Sequence, residues 1–201
     1  MTVSSVLLDI MRHGEVTGKP AFNGVSDPAL TEVGWRSMAV AAAKSLRADA
    51  IVTSPLMRCV AFAEDWGRKQ RIPVRVEPDL REYDFGRWDG RSVDEIMAMD
   101  PELLAAFWQD PLRNPPPEGE SMVSFQQRIV SAFAAILRSS LEGHVLVITH
   151  GGVMRQFVAE RLNCSFTASW SLDIPLGSLM RVVCHPRSRG DFCDLLFMGM
   201  A

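Results

Sequence analysis

The chain has 201 residues, of which 47% are hydrophobic and 22% are charged. Both fractions are ordinary for a globular protein, and the length suits one sizeable hydrophobic core. We therefore expect a single folded domain over residues 1–201 and no long disordered segment. The formal net charge of −3 at pH 7 argues against a general nucleic-acid-binding protein, which would usually be basic.

The N-terminus and the apolar runs predict a cytoplasmic protein with no membrane partner. Met1–Ser5 carries neither the positive charge nor the apolar stretch of a signal peptide. No apolar run approaches the roughly 18 to 20 residues of a membrane span. The four cysteines show no CxxC spacing, which argues against a zinc or redox motif but leaves free thiols and a disulfide both open. A homodimer also stays open.

The first predicted element is an apolar strand that ends in a histidine. Val6–Ile10 has the pattern of a buried strand, and Met11–Glu15, with the sequence Met-Arg-His-Gly-Glu, follows it directly. Glycines and prolines interrupt Glu15–Ala29, which predicts an irregular loop. Thr31 then suits the N-cap of a helix that should run to about Leu46.

Short strands and helices alternate through the middle of the chain. Ala50–Thr53 and Val74–Val76 are predicted strands. Between them, Ser54-Pro55 has the residue types of a helix N-cap and first helical position, which predicts a helix to about Gly67. Ser92 begins the pattern Ser-Val-Asp-Glu, a capping box that opens a further short helix.

The second half of the chain continues the alternation. A long helix is predicted from about Ser121 to Leu141, with a buried face at helical spacing formed by Phe125, Ile129, Phe133 and Leu137. The later predicted elements are a strand over Val145–Ile148, a helix over Val153–Leu162, and strands over Ser178–Cys184 and Phe192–Phe197. Strands that alternate with helices predict a three-layer α/β/α fold with a mostly parallel central sheet.

Two histidines lie at the carboxyl ends of predicted strands. His13 follows the first strand, and His150 follows Val145–Ile148 in the sequence Thr-His-Gly-Gly. Ligands of open parallel sheets bind beyond these strand ends, so we expect the two histidines to form one site. A neutral imidazole, with an ordinary pKa of about 6.5, can act as a nucleophile near neutral pH. A tight turn at Gly14 would place a backbone carbonyl against one ring nitrogen of His13 and leave the other free.

The positive groups near these histidines suit a phosphoryl group. Arg12 and Arg58 carry guanidinium groups that stay charged and match phosphate oxygens. The helix predicted to begin at Ser54 would add its N-terminal amides, and a protonated His150 would add a charge-assisted hydrogen bond. We therefore expect an anion site that can hold a phosphate ester.

Four motifs, in this order, resemble the signatures of the histidine phosphatase superfamily, which includes the cofactor-dependent phosphoglycerate mutases. They are Arg12–Glu15, Thr53–Arg58, Leu80–Gly90 and Thr149–Gly152. The resemblance implies a phosphoglycerate-mutase-like fold and an enzyme that acts on a small phosphate ester.

The resemblance also implies a role for each candidate residue. His13 would accept the phosphoryl group, while Glu82, rather than Glu15 or Asp84, would protonate the departing oxygen. The phosphate pocket would be formed by Arg12, Arg58 and His150. Water activated by Glu82 would then hydrolyse the phosphohistidine, and neither a metal nor another cofactor would be needed.

Further details are similar to the α-ribazole phosphatase branch, which implies α-ribazole 5′-phosphate as the substrate, in late cobalamin synthesis. They are the loop Phe22–Pro28, Cys59 after Arg58, Phe107–Pro111 and Pro116–Ser121. Many family members have an asparagine that contacts phosphate shortly after the first motif. Asn23 is the nearest substitute here, which makes it a further phosphate-binding candidate. Glu118 stands where related sequences often have glycine, and it would stiffen the pocket rim or change its charge.

Other interpretations stay open. The enzyme could be a phosphoglycerate-type mutase or a sugar-phosphate phosphatase, although mutases of this superfamily tend to be longer. A non-catalytic phospho-ligand-binding protein is a third reading, but the retained His13 and Glu82 argue against it. Zinc held by His13 and His150 has no spacing motif in its favour. Trp88 and Trp108 could stack on a substrate ring or pack in the core, and packing is the simpler expectation for Trp108.

Overall fold

The structure is a computed structural model that describes residues 5–45, 48–139, 143–185 and 192–199. Within these ranges, six strands form one sheet in the order β3-β2-β4-β1-β5-β6. The strands are β1 (Val6–Arg12), β2 (Ala50–Thr53), β3 (Val74–Val76), β4 (His144–Thr149), β5 (Leu179–His185) and β6 (Phe192–Gly199). All six lie where the sequence predicted strands.

The sheet is mostly parallel, as predicted. β3, β2, β4 and β1 pair in parallel, whereas β5 runs antiparallel to both β1 and β6. Parallel neighbours need a crossover of a dozen or more residues. The connection between β5 and β6, residues 186–191, is too short for one, so these two strands pair as a hairpin.

Helices connect the strands from β1 to β5. They are α1 (Glu32–Ala42), α2 (Met57–Gln70), α3 (Val93–Met99), α4 (Pro101–Gln109), α5 (Met122–Ser139) and α6 (Gly151–Arg161). Helix α4 was not predicted from the sequence, although its proline at the first helical position is a helix-start signal. The helix ends predicted near Leu46 and Leu141 lie outside the described residues. In the described part of the chain, no helix is long and apolar enough to cross a bilayer.

The predicted start of α2 was wrong. The helix begins at Met57 rather than at Ser54-Pro55. The Ser54 hydroxyl is hydrogen bonded to His150 instead, and the carboxylate of Asp27 accepts the Met57 N–H (2.6 Å). A residue distant in sequence thus caps this helix, so its first amides are already partnered and do not point to a phosphate.

Two apolar layers cover the two faces of the sheet. On one face, Leu8 and Ile10 of β1 pack with α5 and α6. On the other, Met11 of β1 packs with α1 and α2. The predicted apolar face of α5 is buried, with Phe125 0%, Ile129 1%, Phe133 1% and Leu137 2% exposed. The three-layer arrangement leaves the carboxyl edge of the parallel strands as the place where polar side chains gather.

Two of the four cysteines, whose pairing the sequence left open, form a disulfide. Cys184 of β5 and Cys193 of β6 stand opposite each other in the register of the antiparallel pair and are covalently joined. Cys59, which is buried, and Cys164, which is exposed, are free thiols. The disulfide ties the terminal hairpin together at a distance from the carboxyl edge of the parallel strands.

Candidate active site

β1 carries His13 to the carboxyl edge of the sheet. The His13 N–H donates to the carbonyl of Thr149 at the end of β4 (2.9 Å), and the His13 carbonyl accepts from the Gly177 N–H (3.0 Å). These bonds join His13 to residues at the ends of both strands that neighbour β1. The backbone of the histidine is therefore fixed before any ligand binds.

The ring of His13 is oriented by the following residue. Its Nδ1 lies 2.8 Å from the Gly14 carbonyl oxygen. Because a carbonyl can only accept, Nδ1 carries the hydrogen and Nε2 keeps its lone pair. A Cβ at position 14 would lie 2.3 Å from the Gly34 carbonyl oxygen, so the turn requires glycine. The expected contact of a backbone carbonyl with the His13 ring is present.

His13 is uncharged at neutral pH. Burial lowers its pKa to about 3, and the positive charges of Arg58 and Arg12 act in the same direction, against the opposing effect of the Gly14 carbonyl. The residue is 8% exposed and lines the main cavity. Its Nε2 therefore offers a lone pair to that cavity, as a nucleophile must.

His150 lies beside His13, immediately before α6. The two ring centroids are 5.2 Å apart, so the two strand-end histidines do come together. The Nε2 atom of His150 lies 2.7 Å from Ser54 Oγ. Burial, followed by the charges of His13 and Arg58, lowers the His150 pKa well below its usual value. His150 is thus also neutral, fully buried and held in one orientation.

Arg12 and a second arginine, Arg155 of α6, flank the first residue of that helix. Arg12 Nη1 donates to the Ile174 carbonyl (2.6 Å), and Arg155 Nη2 donates to the Leu172 carbonyl (3.1 Å). A Cβ on Gly151 would lie 3.2 Å from both Arg12 Nε and Arg155 Nη1. Arg155 was not among the site residues predicted from the sequence. Its position four residues after Gly151, on the same helical face, was the available signal.

Arg58 reaches the site region but is mostly engaged elsewhere. It is 1% exposed. Its Nη1 donates to the Ser26 carbonyl (2.8 Å) and to Asp27 Oδ1 (3.3 Å), and its Nη2 donates to the Asn23 carbonyl (2.6 Å). Asn23 lines the cavity, whereas Arg58 is not part of the cavity wall formed by the described residues. Arg58 therefore holds the loop that presents Asn23.

Asp89 fixes the same loop from the other side. Its carboxylate accepts the successive N–H groups of Gly24 (2.6 Å), Val25 (2.9 Å) and Ser26 (2.7 Å). Three backbone amides on one carboxylate make a charge-assisted anchor. Asp89 lies in the Gly-Arg-Trp-Asp-Gly motif, but its sequence position gave no sign of this contact with a loop more than 60 residues away.

Glu82 also faces the cavity that contains His13. Its Oε1 accepts the Tyr83 N–H (3.0 Å) and its Oε2 accepts the Gly152 N–H (3.1 Å). A Cβ on Gly152 would lie 2.3 Å from Glu82 Oε1, so this glycine makes room for the carboxylate. The alternative acid Asp84 instead accepts the Gly86 N–H (2.9 Å) within its own turn.

Arg128 of α5 holds the segment that carries Glu82. Its Nη1 donates to the carbonyls of Asp79 (2.6 Å) and Arg81 (2.8 Å), and its Nη2 donates to the Glu82 carbonyl (2.9 Å). The guanidinium is balanced by Glu120, bound at 2.7 and 2.8 Å. The segment that positions the Glu82 carboxylate is therefore held by a buried arginine. The helical periodicity of α5 does not indicate this role for Arg128.

The cavity is large and mostly aromatic beyond the polar end. It has a volume of about 730 Å³. His13, Arg12, Glu82 and Arg155 contribute to its polar end, and Glu15 also lies on its wall. Its ring-bearing wall residues are Phe22, Tyr83, Phe85, Phe107, Trp108, Phe166 and Trp170. A planar leaving group would therefore find ring faces and edges on several sides.

The structure separates the two tryptophans, for which the sequence favoured packing only at Trp108. Trp88 is fully buried, and its Nε1 donates to Asp100 Oδ2 (3.1 Å). Its ring meets Phe107 edge to face, so it packs in the core. The expectation that Trp108 packs was wrong, since it is 40% exposed and lines the cavity. The hydrophobicity of the two residues is the same, and only the packing of the segments that carry them decides which ring is buried.

Two further expectations concern the rim and metals. Glu118 adopts a left-handed conformation with φ 61°, which costs a non-glycine residue about 1–2 kcal/mol. The cavity wall of the described residues does not include Glu118, so any effect of this residue on the rim is indirect. Across the described ranges, no three His, Cys, Asp or Glu side chains meet in a metal-binding group.

This arrangement of strands and site residues is the phosphoglycerate-mutase-like fold. The structure of YhfR from Bacillus stearothermophilus, for example, matches with a TM-score of 0.84 at 28% identity, over 94% of this chain and 96% of that one. Residues 8–190 match the family described as histidine phosphatase superfamily (branch 1). The chain belongs to this family.

Several relatives with curated names are similar in sequence to this chain. A bifunctional protein of Mycobacterium tuberculosis is 32% identical over 85% of this chain, and the chain spans only 48% of its length. Phosphoserine phosphatase 1 of Hydrogenobacter thermophilus is 28% identical over 83% of this chain and 81% of that one. The adenosylcobalamin/alpha-ribazole phosphatase of Escherichia coli is 27% identical over 64% of each chain.

Proposed function

We propose that the protein is a phosphomonoesterase that forms a phosphohistidine on His13. The observation that carries this proposal is the His13 ring, whose Nδ1 is held 2.8 Å from the Gly14 carbonyl while the neutral ring lines a cavity with Arg12 and Glu82. A free Nε2, a fixed cation and a carboxylic acid are the parts that phosphoryl transfer to nitrogen requires.

The reaction takes two steps. In the first, His13 Nε2 attacks phosphorus, a P–N bond forms as the P–O bond to the alcohol breaks, and Glu82 gives its proton to the departing oxygen. In the second, Glu82 takes a proton from water as the water oxygen attacks phosphorus. The P–N bond then breaks, which releases inorganic phosphate and restores neutral His13.

The remaining site residues act on the charge of the phosphoryl group. Arg12 binds its oxygens and Asn23 borders the pocket, while Arg58, which is not on the cavity wall of the described residues, adds its positive charge beside His13. Phosphorylation of His13 places negative charge beside His150, whose ring centroid lies 5.2 Å away. A nearby negative charge raises the pKa of an imidazole, so the phosphoenzyme favours protonation of His150 more than the free enzyme does.

As the substrate we propose α-ribazole 5′-phosphate. Its dephosphorylation is a step of late cobalamin synthesis. The aromatic wall offers surfaces on which its benzimidazole ring can pack, and the name of the Escherichia coli relative agrees with this substrate. A leaving group as small as glycerate or serine would leave most of a cavity of about 730 Å³ empty. Cavity size therefore favours this ester over the small esters of phosphoglycerate-type mutases and phosphoserine phosphatases.

Phosphate release in EDTA from a panel of esters tests both parts of the proposal. The panel contains α-ribazole 5′-phosphate, phosphoserine, 3-phosphoglycerate, sugar phosphates and p-nitrophenyl phosphate. We expect kcat/KM to be highest for α-ribazole 5′-phosphate. Trp108→Ala should lower that value and leave phosphoserine, which has no ring, unchanged. A preference for phosphoserine or 3-phosphoglycerate would contradict the proposed substrate but not the chemistry.

The chemistry is tested by trapping the intermediate. Wild-type enzyme quenched in alkali after mixing with a 32P-labelled ester should carry an acid-labile, alkali-stable label, as a phosphohistidine does. His13→Ala should carry none and should lose activity by about a thousandfold or more, because no nucleophile remains. An unlabelled wild-type enzyme that still releases phosphate, or a His13→Ala variant with near wild-type turnover, would contradict the mechanism.

A further inference from the structure

Arg155 and Arg12 present two guanidinium groups to one small space. Each is tied at one end to a carbonyl of the same short segment, Arg12 to Ile174 and Arg155 to Leu172. Their other ends converge on Gly151, where an added Cβ would lie 3.2 Å from a nitrogen of each. Glycine at this position leaves room for both positive side chains at the start of α6, since an added Cβ would contact each of them tightly.

Neither arginine forms a direct ion pair with a carboxylate, although the negative charges of Glu82 and Asp173 act on both. The ion pairs formed by arginines of the described residues include neither Arg12 nor Arg155. The nearby carboxylate of Glu82 already accepts two backbone N–H groups. The Nε atoms of both arginines are buried without a hydrogen-bond partner, as are those of Arg58 and Arg161. Two like charges with unpartnered buried donors are costly unless an anion joins them.

Arg58 has less to offer an incoming anion. Three of its five N–H groups donate to the loop that contains Asn23, Ser26 and Asp27. Arg155, by contrast, has one Nη bonded to the protein and lies on the cavity wall with Arg12 and His13. Of the two arginines that could accompany Arg12, Arg155 therefore has more unused donors and an open path to the cavity.

We propose that Arg155 binds the phosphoryl group of the substrate together with Arg12, so that the two guanidinium groups hold the anion over Gly151. The proposal rests on the proposed phosphatase function of the site and adds a binding residue to it. The group recognised is the dianion of a phosphate monoester, which inorganic phosphate shares. Because every substrate carries this group, Arg155 acts on all phosphate esters alike and does not select the leaving group.

Inorganic phosphate is the probe, as a competitive inhibitor and as a ligand in calorimetry. We expect Arg155→Gln to raise the inhibition constant for phosphate by about tenfold or more, the usual effect of losing hydrogen bonds from a charged donor. Arg155→Lys should raise it less, because the charge remains while the fork is lost. Arg161→Gln, on the same helix but away from the cavity, should leave it unchanged.

A purely structural role for Arg155, as a tether of residues 172–174, gives a different result. The phosphate constant would then stay within about twofold of wild type, a change near the size of a measurement error, while thermal stability fell. That outcome overturns the proposal. So does a loss of kcat/KM confined to ring-bearing esters, because a phosphate ligand must affect phosphoserine and α-ribazole 5′-phosphate equally.

The two proposals can fail separately. Calorimetric titration with inorganic phosphate needs no turnover, so it tests Arg155 even in an enzyme that forms no phosphohistidine. A wild-type protein that binds phosphate through Arg155 but carries no label would contradict the proposed function alone. If Arg155→Gln does not fold, Arg155→Lys decides the question, since an unchanged phosphate constant in that variant overturns the role of Arg155.

Discussion

The hydroxyl of Ser54 lies 2.7 Å from Nε2 of His150, in a fully buried contact. Ser54 follows β2 and His150 follows β4, and these strands are parallel neighbours in the sheet. The contact therefore spans the two strand ends that border the site. It assigns Ser54 to the orientation of His150, although its sequence context is that of a helix cap.

Replacement of Ser54 by alanine should lower activity as well as stability. The variant leaves a ring nitrogen of buried His150 without its partner, so the imidazole loses its fixed orientation. We expect kcat to fall about tenfold, equivalent to about 1.4 kcal/mol. Ser92→Ala is the matched control. It removes the N-cap of α3 and should cost about 1 kcal/mol of unfolding free energy with unchanged kcat. Equal kcat in Ser54→Ala and wild type would remove Ser54 from this role.

Replacement of Glu82 by glutamine should affect esters in proportion to the basicity of their leaving group. The amide cannot give a proton to a departing alkoxide, whereas p-nitrophenolate leaves without one. We expect kcat/KM, which reports the first chemical step, to fall by about 10²–10⁴-fold for an alkyl phosphate and far less for p-nitrophenyl phosphate. Equal losses on both esters would show that Glu82 is not the acid.

Replacement of Arg128 by methionine should disturb catalysis through Glu82. The variant breaks the buried pair with Glu120 and should cost about 3–5 kcal/mol of unfolding free energy. It also frees the Glu82 carbonyl, so alkyl phosphates should lose more kcat/KM than p-nitrophenyl phosphate does.

Arg181→Met is the comparison for Arg128→Met, because it also removes the partner of a buried carboxylate, Asp9, although Arg181 itself is partly exposed, and it lies away from the cavity wall of the described residues. It should lower stability without changing the ratio of the two kcat/KM values. The same ratio in both variants would mean that Arg128 supports the fold and not the position of Glu82.

The lowered pKa of His13 predicts how stability depends on pH. The unfolded chain binds a proton at His13 below about pH 6.5, whereas the folded protein does so only near pH 3, where burial and the charges of Arg58 and Arg12 hold its pKa at about 3. The contribution of this pKa difference to the free energy of unfolding is therefore fully present above pH 6.5. It decreases as the pH falls from 6.5 toward 3. From pH 6.5 to 5 the expected decrease is about 2 kcal/mol.

Urea unfolding of wild type and His13→Asn at pH 6.5 and pH 5 measures this contribution. The variant should lose about 2 kcal/mol less than wild type over the interval. Asp9 does not interfere. Burial raises its pKa, but the hydrogen bonds from Arg181 and His144 outweigh that effect and lower it to about 2, below the interval. Identical pH dependence in the two proteins would contradict a neutral buried His13.

Much of the fold was predictable because its signals are local. Apolar runs mark all six strands, and the spacing of Phe125, Ile129, Phe133 and Leu137 marks the buried face of α5. The two His-Gly sequences stand at strand ends, and the carboxyl ends of parallel strands share one edge. The meeting of His13 with His150, and the Gly14 carbonyl on the His13 ring, followed from these patterns.

Contacts between distant segments decided the rest. Ser54 is hydrogen bonded to His150, and Asp27 caps α2. A helix-start pattern in the local sequence cannot predict either contact. Asp89 and Arg128 fix segments far from them in sequence, and the exposure of Trp108 depends on how α4 packs. Arg155 became a candidate only when folding placed it beside Arg12 over Gly151. Local sequence determines which elements form and which residue types end them. Which side chains share a charge or a hydrogen bond is decided by packing, because such bonds require distances that only the tertiary structure sets.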